Sequence, residues 1–69
     1  MRATSADQLK SKARYTVGST VQVYNIFDGW RTGQITKLGW DHMYGRVDYY
    51  VNINGSFALT SEQYMRAVP

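Results

Sequence analysis

His42 is the chain's single histidine, and with Asp41 beside it in a stretch that reads as loop, it is the first residue to weigh as a general base. Such a base needs an orienting carboxylate and a nucleophile within hydrogen-bond reach. Adjacent residues on an extended chain point apart, and Ser56 and Ser61 lie in no matching context. One histidine among scattered aspartates gives no metal-ligand spacing, and the six glycines form no phosphate-cradling run. The expectation is therefore no catalytic residue, no metal and no cofactor.

The aromatic residues carry more information. Two Trp, six Tyr and two Phe in 69 residues are more than so small a core can enclose. Tyr24, Phe27, Trp30, Trp40, Tyr44 and Tyr50 fall in loops or on the polar side of alternating stretches, so several of them must face solvent. Exposed aromatics stack on proline-rich peptides, enclose methylated ammonium groups through cation–π attraction, or stack on bases. The alternative is that Trp30 and Tyr49 fill the core and Phe27 and Trp40 close its ends. The residues themselves leave both readings open.

The elements that must position these side chains follow from hydrophobic period. From Tyr15 onward it is two, the mark of half-buried strands. Val21 and Val23 alternate with Thr20, Gln22 and Tyr24 in a first strand, after the Val17-Gly18-Ser19 turn. Asn25 to Gly29 read as a loop ending in the turn dipeptide Asp28-Gly29. Trp30 to Leu38 make a second strand in which Gly33 predicts a bend or bulge. Gly39 to Gly45 read as a seven-residue connection holding Trp40, Asp41, His42, Met43 and Tyr44. Arg46 to Ile53 form a third strand with Val47, Tyr49, Val51 and Ile53 on one face and Arg46, Asp48, Tyr50 and Asn52 on the other. Asn54-Gly55 is a strong hairpin signal, because both residues tolerate positive φ. Phe57 and Leu59 continue the alternation in a fourth strand, Thr60 to Gln63 suit one helical turn, and Tyr64 to Val68 give a short last strand. Short strands with Gly-based turns predict an all-β fold, a small five-stranded barrel over residues 15–69.

Charge divides the chain in two. Arg2, Lys10, Lys12 and Arg14 against Asp7 put the whole excess of +3 in residues 1–14. In residues 15–69, Arg31, Lys37, Arg46 and Arg66 are balanced by Asp28, Asp41, Asp48 and Glu62. The basic arm offers Ser5 and Gln8 in a weak capping-box spacing, so a short helix over Ala6 to Ala13 is conceivable. Its apolar stripe of Leu9 and Ala13 is too narrow to hold a helix firmly, which favours a frayed arm. The chain has no cysteine and hence no disulfide to staple it, which fits a reducing compartment. With no apolar stretch long enough for a bilayer and no apolar signal core near the start, a soluble, cytoplasmic protein without a membrane partner is expected.

Val17-Gly18 before Val21 and Val23, Asp28-Gly29-Trp30 with Gly33 and Ile35, Tyr50-Val51 and the terminal Met65-Arg66 form a pattern over residues 16–68. It resembles the SH3-like barrels and, within them, the Tudor and Agenet group. That resemblance implies a groove flanked by the first loop and the connection between strands two and three, in which Phe27, Trp30, Trp40 and Tyr44 would share one site. A Tudor-like reading further implies an aromatic cage for methylated Lys or Arg built from Trp30, Tyr50 and Asn52. In length, and in Trp30 followed by Gly33-Gln34-Ile35, the chain is also similar to the type II dihydrofolate reductases. Those enzymes line a shared tetramer pore with Val-Gln-Ile-Tyr late in the chain. Here the similar Val21-Gln22-Val23-Tyr24 lies in the first strand and the late strand reads Ser56-Phe57-Ala58-Leu59, so this enzyme is the least favoured reading.

The function expected from these readings is non-catalytic recognition of a protein or peptide by Phe27, Trp30, Trp40, Tyr44, Tyr50 and Asn52. A second expectation is nucleic-acid binding, with Arg2, Lys10, Lys12 and Arg14 on phosphates and aromatics stacking on bases. A third is a small accessory subunit, a homo-oligomer or part of a larger assembly, whose barrel edge pairs with a neighbour.

Overall fold

The computed structural model describes residues 11–69. Its five strands are β1 (Thr20–Asn25), β2 (Gly29–Asp41), β3 (Arg46–Ile53), β4 (Ser56–Ser61) and β5 (Met65–Ala67), with a 3₁₀ turn (Glu62–Tyr64) before β5. All pairings are antiparallel, in the order β4-β3-β2-β1-β5. The fold is all-β, as expected. Ser11 and Lys12 are helical; the remainder of the expected Ala6 to Ala13 helix lies almost wholly outside the described residues.

β2 organises the sheet. Its first half, Gly29 to Gln34, pairs with β1, and its second half, Gln34 to Asp41, pairs with β3. The chain must therefore turn a corner near Gln34, and two devices allow it. At Gly33 a Cβ would stand 2.6 Å from the Asn52 carbonyl oxygen and 2.7 Å from side-chain carbons of Val51 and Ile53, so only glycine admits β3 this closely. The register then shifts between Ile35 and Lys37, leaving Thr36 as the extra residue of a bulge, with its Oγ1 donating to the Tyr50 carbonyl at 3.2 Å. The expected bend is thus at Gly33, and the bulge itself lies three residues further on.

The expected seven-residue connection is shorter than the sequence suggested. β2 continues through Gly39, Trp40 and Asp41, which pair with Asp48, Val47 and Arg46. Gly39 reads as a loop residue in sequence, but here it makes room for the Tyr50 ring, whose Cε2 would lie 3.3 Å from an added Cβ. Asp41 then closes the turn by accepting from the Met43 and Tyr44 N–H groups at 2.9 and 3.2 Å, and Gly45 takes a φ of 62°. At the other hairpin Asn54 and Gly55 have φ of 51° and 86°, the tight turn that their types demand.

One core lies on the inner face of the curled sheet: Val21, Val23, Ile35, Val47, Tyr49, Val51 and Met65. The alternation on β3 is as expected, with Val47, Tyr49 and Val51 inside. Each such side chain contributes about 1.5–3 kcal/mol on burial, so a core this small sits close to the minimum for independent folding. Ala13, Tyr15, Leu38, Trp40 and Ile53 pack around it. Tyr49 is 0% exposed and ties the segment before β1 to the sheet. Its hydroxyl accepts from the Arg14 and Tyr15 N–H groups at 3.0 and 3.3 Å and donates to Glu62 Oε2 at 2.9 Å. The Tyr15 ring packs edge-on against it, 5.9 Å between centroids.

Candidate functional site

The sheet carries an open groove of about 660 Å³. One wall comes from the end of β1 and the turn after it. Strand alternation sends Val21 and Val23 inward and therefore Tyr24 outward, and the turn beyond presents Ile26 and Phe27, with Phe27 91% exposed. Asn25 shapes that turn by accepting from the Phe27 N–H at 2.7 Å. The opposite wall is Leu59 to Ser61 at the end of β4 and Tyr64 of the 3₁₀ turn. Tyr24, Ile26, Phe27, Leu59 and Tyr64 all leave large apolar surface open to solvent.

The polar part of the groove lies at the base of the β2–β3 turn. Asp41 and Asp48 flank Arg46, with carboxylate oxygens 3.8 and 3.9 Å from its Nε. These are long, partly exposed ion pairs and contribute little to stability, about 0–1 kcal/mol each. The Arg46 guanidinium also stacks on Tyr44, 4.8 Å from the ring centroid. Its Nε is buried without a hydrogen-bond partner, so the arginine is held by stacking and charge rather than by a bidentate clamp. Two carboxylates against one guanidinium leave this end of the groove net negative.

The six residues expected to bind a partner do not converge on one site. Phe27 lies in the groove, and Tyr44 reaches its acidic end only through Arg46. Trp30 sits on the outer face of β2, 38% exposed, with Tyr24 5.5 Å away on one side and the Arg66 guanidinium 4.0 Å over its ring. Arg66 is fixed there by donating from Nε to Gln22 Oε1 at 2.7 Å. Trp30 is thus outside the core, stacked in a cross-strand ladder beside the groove. Trp40 turns the other way and packs against the core, with Lys12 Nζ 4.9 Å over its ring. Tyr50 lies on the outer face of β3 under Lys37 Nζ at 5.5 Å, and Asn52 accepts from the Gly55 N–H at 2.9 Å to cap the β3–β4 turn. Trp30, Tyr50 and Asn52 therefore each have a separate set of partners.

Of the arm cations, Arg2 and Lys10 lie outside the described residues. Lys12 shares a second, smaller concavity of about 320 Å³ with Trp40, Arg46 and Glu62. Arg14 stacks near the Tyr15 ring at 5.7 Å. His42 meets the Trp40 ring edge-on at 6.4 Å, while Asp41 spends one carboxylate oxygen on the turn and the other on Arg46. Among the described residues no three His, Cys, Asp or Glu side chains group as metal ligands, and no helix is long and apolar enough to cross a membrane.

Of the groove's large apolar residues, sequence reasoning singled out Phe27 alone and missed Tyr24, Ile26, Leu59 and Tyr64 as site. Alternation carried the signal for Tyr24, at an outward position of β1, but not for Leu59, since Phe57 and Leu59 are the apolar members of the β4 alternation and yet stand exposed. The meeting of the two segments across the groove depends on how far the sheet curls, and no local pattern encodes that. No family model, curated protein or solved structure matches the chain.

Proposed function

We propose that the protein is a non-catalytic binding module that takes an extended protein or peptide segment in the groove between the β1–β2 turn and the 3₁₀ turn. The observation that carries this reading is the gathering of Tyr24, Phe27, Leu59 and Tyr64, all solvent-exposed, around one concavity. Contiguous exposed apolar surface rimmed by polar groups is what recognition sites present, and aromatic anchors supply most of the energy there. Asp41 and Asp48 favour a cationic residue at one end of the bound segment. An SH3-like assignment of the sheet agrees with this position, because it implies a groove flanked by the first loop and the β2–β3 connection. The lack of cysteine agrees with a cytoplasmic setting.

Partner capture from nuclease-treated host lysate tests it. Phe27→Ala and Tyr64→Ala each remove one anchor and are expected to weaken capture by about tenfold or more, about 1.4 kcal/mol. Phe27 touches almost nothing in the free molecule, so the fold survives its loss. Capture that both variants leave intact overturns the reading.

One observation favours a second reading, nucleic-acid binding. Lys12 and Arg46 line the smaller concavity together with Trp40, whose ring lies under Lys12 Nζ, so a base stacked on the indole would bring phosphates toward the two cations. The charge-balanced barrel and the Glu62 carboxylate in the same concavity make it the weaker of the two.

A further inference from the structure

The curled sheet ends in two edges, and they are built differently. β5 is three residues long, carries Arg66 and is followed at once by Val68 and Pro69. Shortness, charge and proline are the devices by which natural sheets keep an edge from pairing with another chain. β4 has none of them. It runs six residues, Ser56 to Ser61, with no charge, proline or bulge, and no charged residue occurs from Tyr49 through Ser61. Among the described residues only β3 pairs with it. Phe57 and Leu59 on its outer face are 69% and 61% exposed.

The order of side chains along this edge identifies what covers it. Ser56-Phe57-Ala58-Leu59-Thr60 reads polar, large apolar, small, large apolar, polar, and is symmetric about Ala58. A strand with that symmetry is complementary to itself run backwards. We propose that β4 pairs antiparallel with β4 of a second copy of this chain about a two-fold axis at Ala58, joining two sheets into one of ten strands. In that register Phe57 of each copy lies opposite Leu59 of the other, Ser56 opposite Thr60, and Ala58 opposite its own counterpart. Apolar cross-strand pairs of this kind stabilise a sheet, and an isologous two-fold closes after two copies without leaving a sticky end. Charge agrees, because Glu62, the nearest charged residue along the chain, falls opposite Asn54 and meets no like charge. The inference shares Leu59, Thr60 and Ser61 with the groove wall, and it is distinguished from the groove reading by its measurement, self-association rather than partner capture.

Sedimentation equilibrium of the whole chain tests it without any ligand. The wild type is expected to show a monomer–dimer equilibrium, the larger species having twice the monomer mass of 7.9 kDa. Phe57→Lys and Leu59→Glu, at exposed positions, are each expected to raise the dimer dissociation constant by roughly tenfold or more, since each places a charge against an apolar partner. An equimolar mixture of the two variants is expected to regain the dimer as a heterodimer. There the introduced ammonium meets the introduced carboxylate at one pair, and the native Phe57 and Leu59 meet at the other. Circular dichroism of each variant checks that the sheet is retained. A wild type that stays monomeric at about 1 mM, well above the dissociation constants of specific complexes, overturns the proposal. So does a dimer that neither variant weakens, or a mixture that associates no better than its components. Any of these results leaves the groove reading standing, because it is scored on partner capture.

Discussion

Tyr49 joins three separate stretches of chain through its hydroxyl. It sits fully inside the sheet, yet its oxygen reaches the backbone of Arg14 and Tyr15 and the carboxylate of Glu62. Burial, with the Glu62 carboxylate beside it, holds its phenol above the usual tyrosine value of 10.0. Removing the hydroxyl with Tyr49→Phe leaves two backbone N–H groups short of an acceptor, while the Arg14 N–H keeps only its longer contact to Glu62 at 3.4 Å. The expected cost is about 1–3 kcal/mol, read as a lowered urea midpoint at neutral pH. The sign of the pH effect follows from the raised value. The unfolded tyrosine ionises first, so the native state holds the extra proton. Stability from this group is complete below the unfolded pKa and is lost as pH rises through the folded one. From about pH 10 upward the wild type is therefore expected to lose stability more steeply than Tyr49→Phe, a difference that urea titrations at stepped pH measure directly. Parallel curves would remove Tyr49 from the account.

At the scale of elements, β2 decides the shape of the molecule by serving two neighbours in turn. Gly33→Ala drives a Cβ to within 2.6 Å of a backbone carbonyl of β3, which no rotamer change relieves. Its expected cost is about 1–3 kcal/mol, the range for overpacking. Gly39→Ala is the control. Its nearest neighbour is the edge of the Tyr50 ring at 3.3 Å, a side chain that can move, so a smaller cost is expected in the same urea experiment. Equal effects at the two glycines would show that the corner at Gly33 is not tightly packed.

This strand also marks what could be read from the sequence and what could not. The alternation of valines on β1, and of Val47, Tyr49 and Val51 on β3, showed in advance which faces look inward, whereas the same period on β4 misleads, because its alternating Phe57 and Leu59 stand on the exposed face. Asn54-Gly55 announced its hairpin through the φ values that only a few residue types accept. Gly39 was ambiguous. A glycine beside Trp40 and Asp41 carries the local signature of a turn, and only the Tyr50 ring on the facing strand shows that it instead relieves crowding inside a ladder. The candidate site was less legible for the same reason. The surplus of aromatics was plain from composition, but whether Trp30 and Trp40 face one groove depends on their position relative to the bulge at Thr36. The two indoles end on different surfaces, Trp30 under Arg66 and Trp40 against the core.

For the whole molecule, the division of charge separates the two binding readings by their response to salt. The excess of +3 belongs to residues 1–14, and the sheet that carries the groove is balanced. A segment held by Tyr24, Phe27 and Tyr64 is bound mainly through apolar surface, which added salt weakens little, apart from the screened contribution of Asp41 and Asp48. A nucleic acid held by Lys12 and Arg46 releases counterions for every phosphate it gives up to them, and its affinity falls steeply as salt rises. Lys12→Ala distinguishes the two. It leaves the groove walls untouched and removes the cation over Trp40. If nucleic acid is the ligand, titrating a single-stranded oligonucleotide at several salt concentrations should give a log–log slope shallower by about 1 in the variant than in the wild type. If the groove carries function, Lys12→Ala leaves partner capture within about twofold of wild type, whereas Phe27→Ala abolishes most of it. An oligonucleotide affinity whose salt slope does not change on loss of Lys12 would remove the Trp40 concavity as a nucleic-acid site.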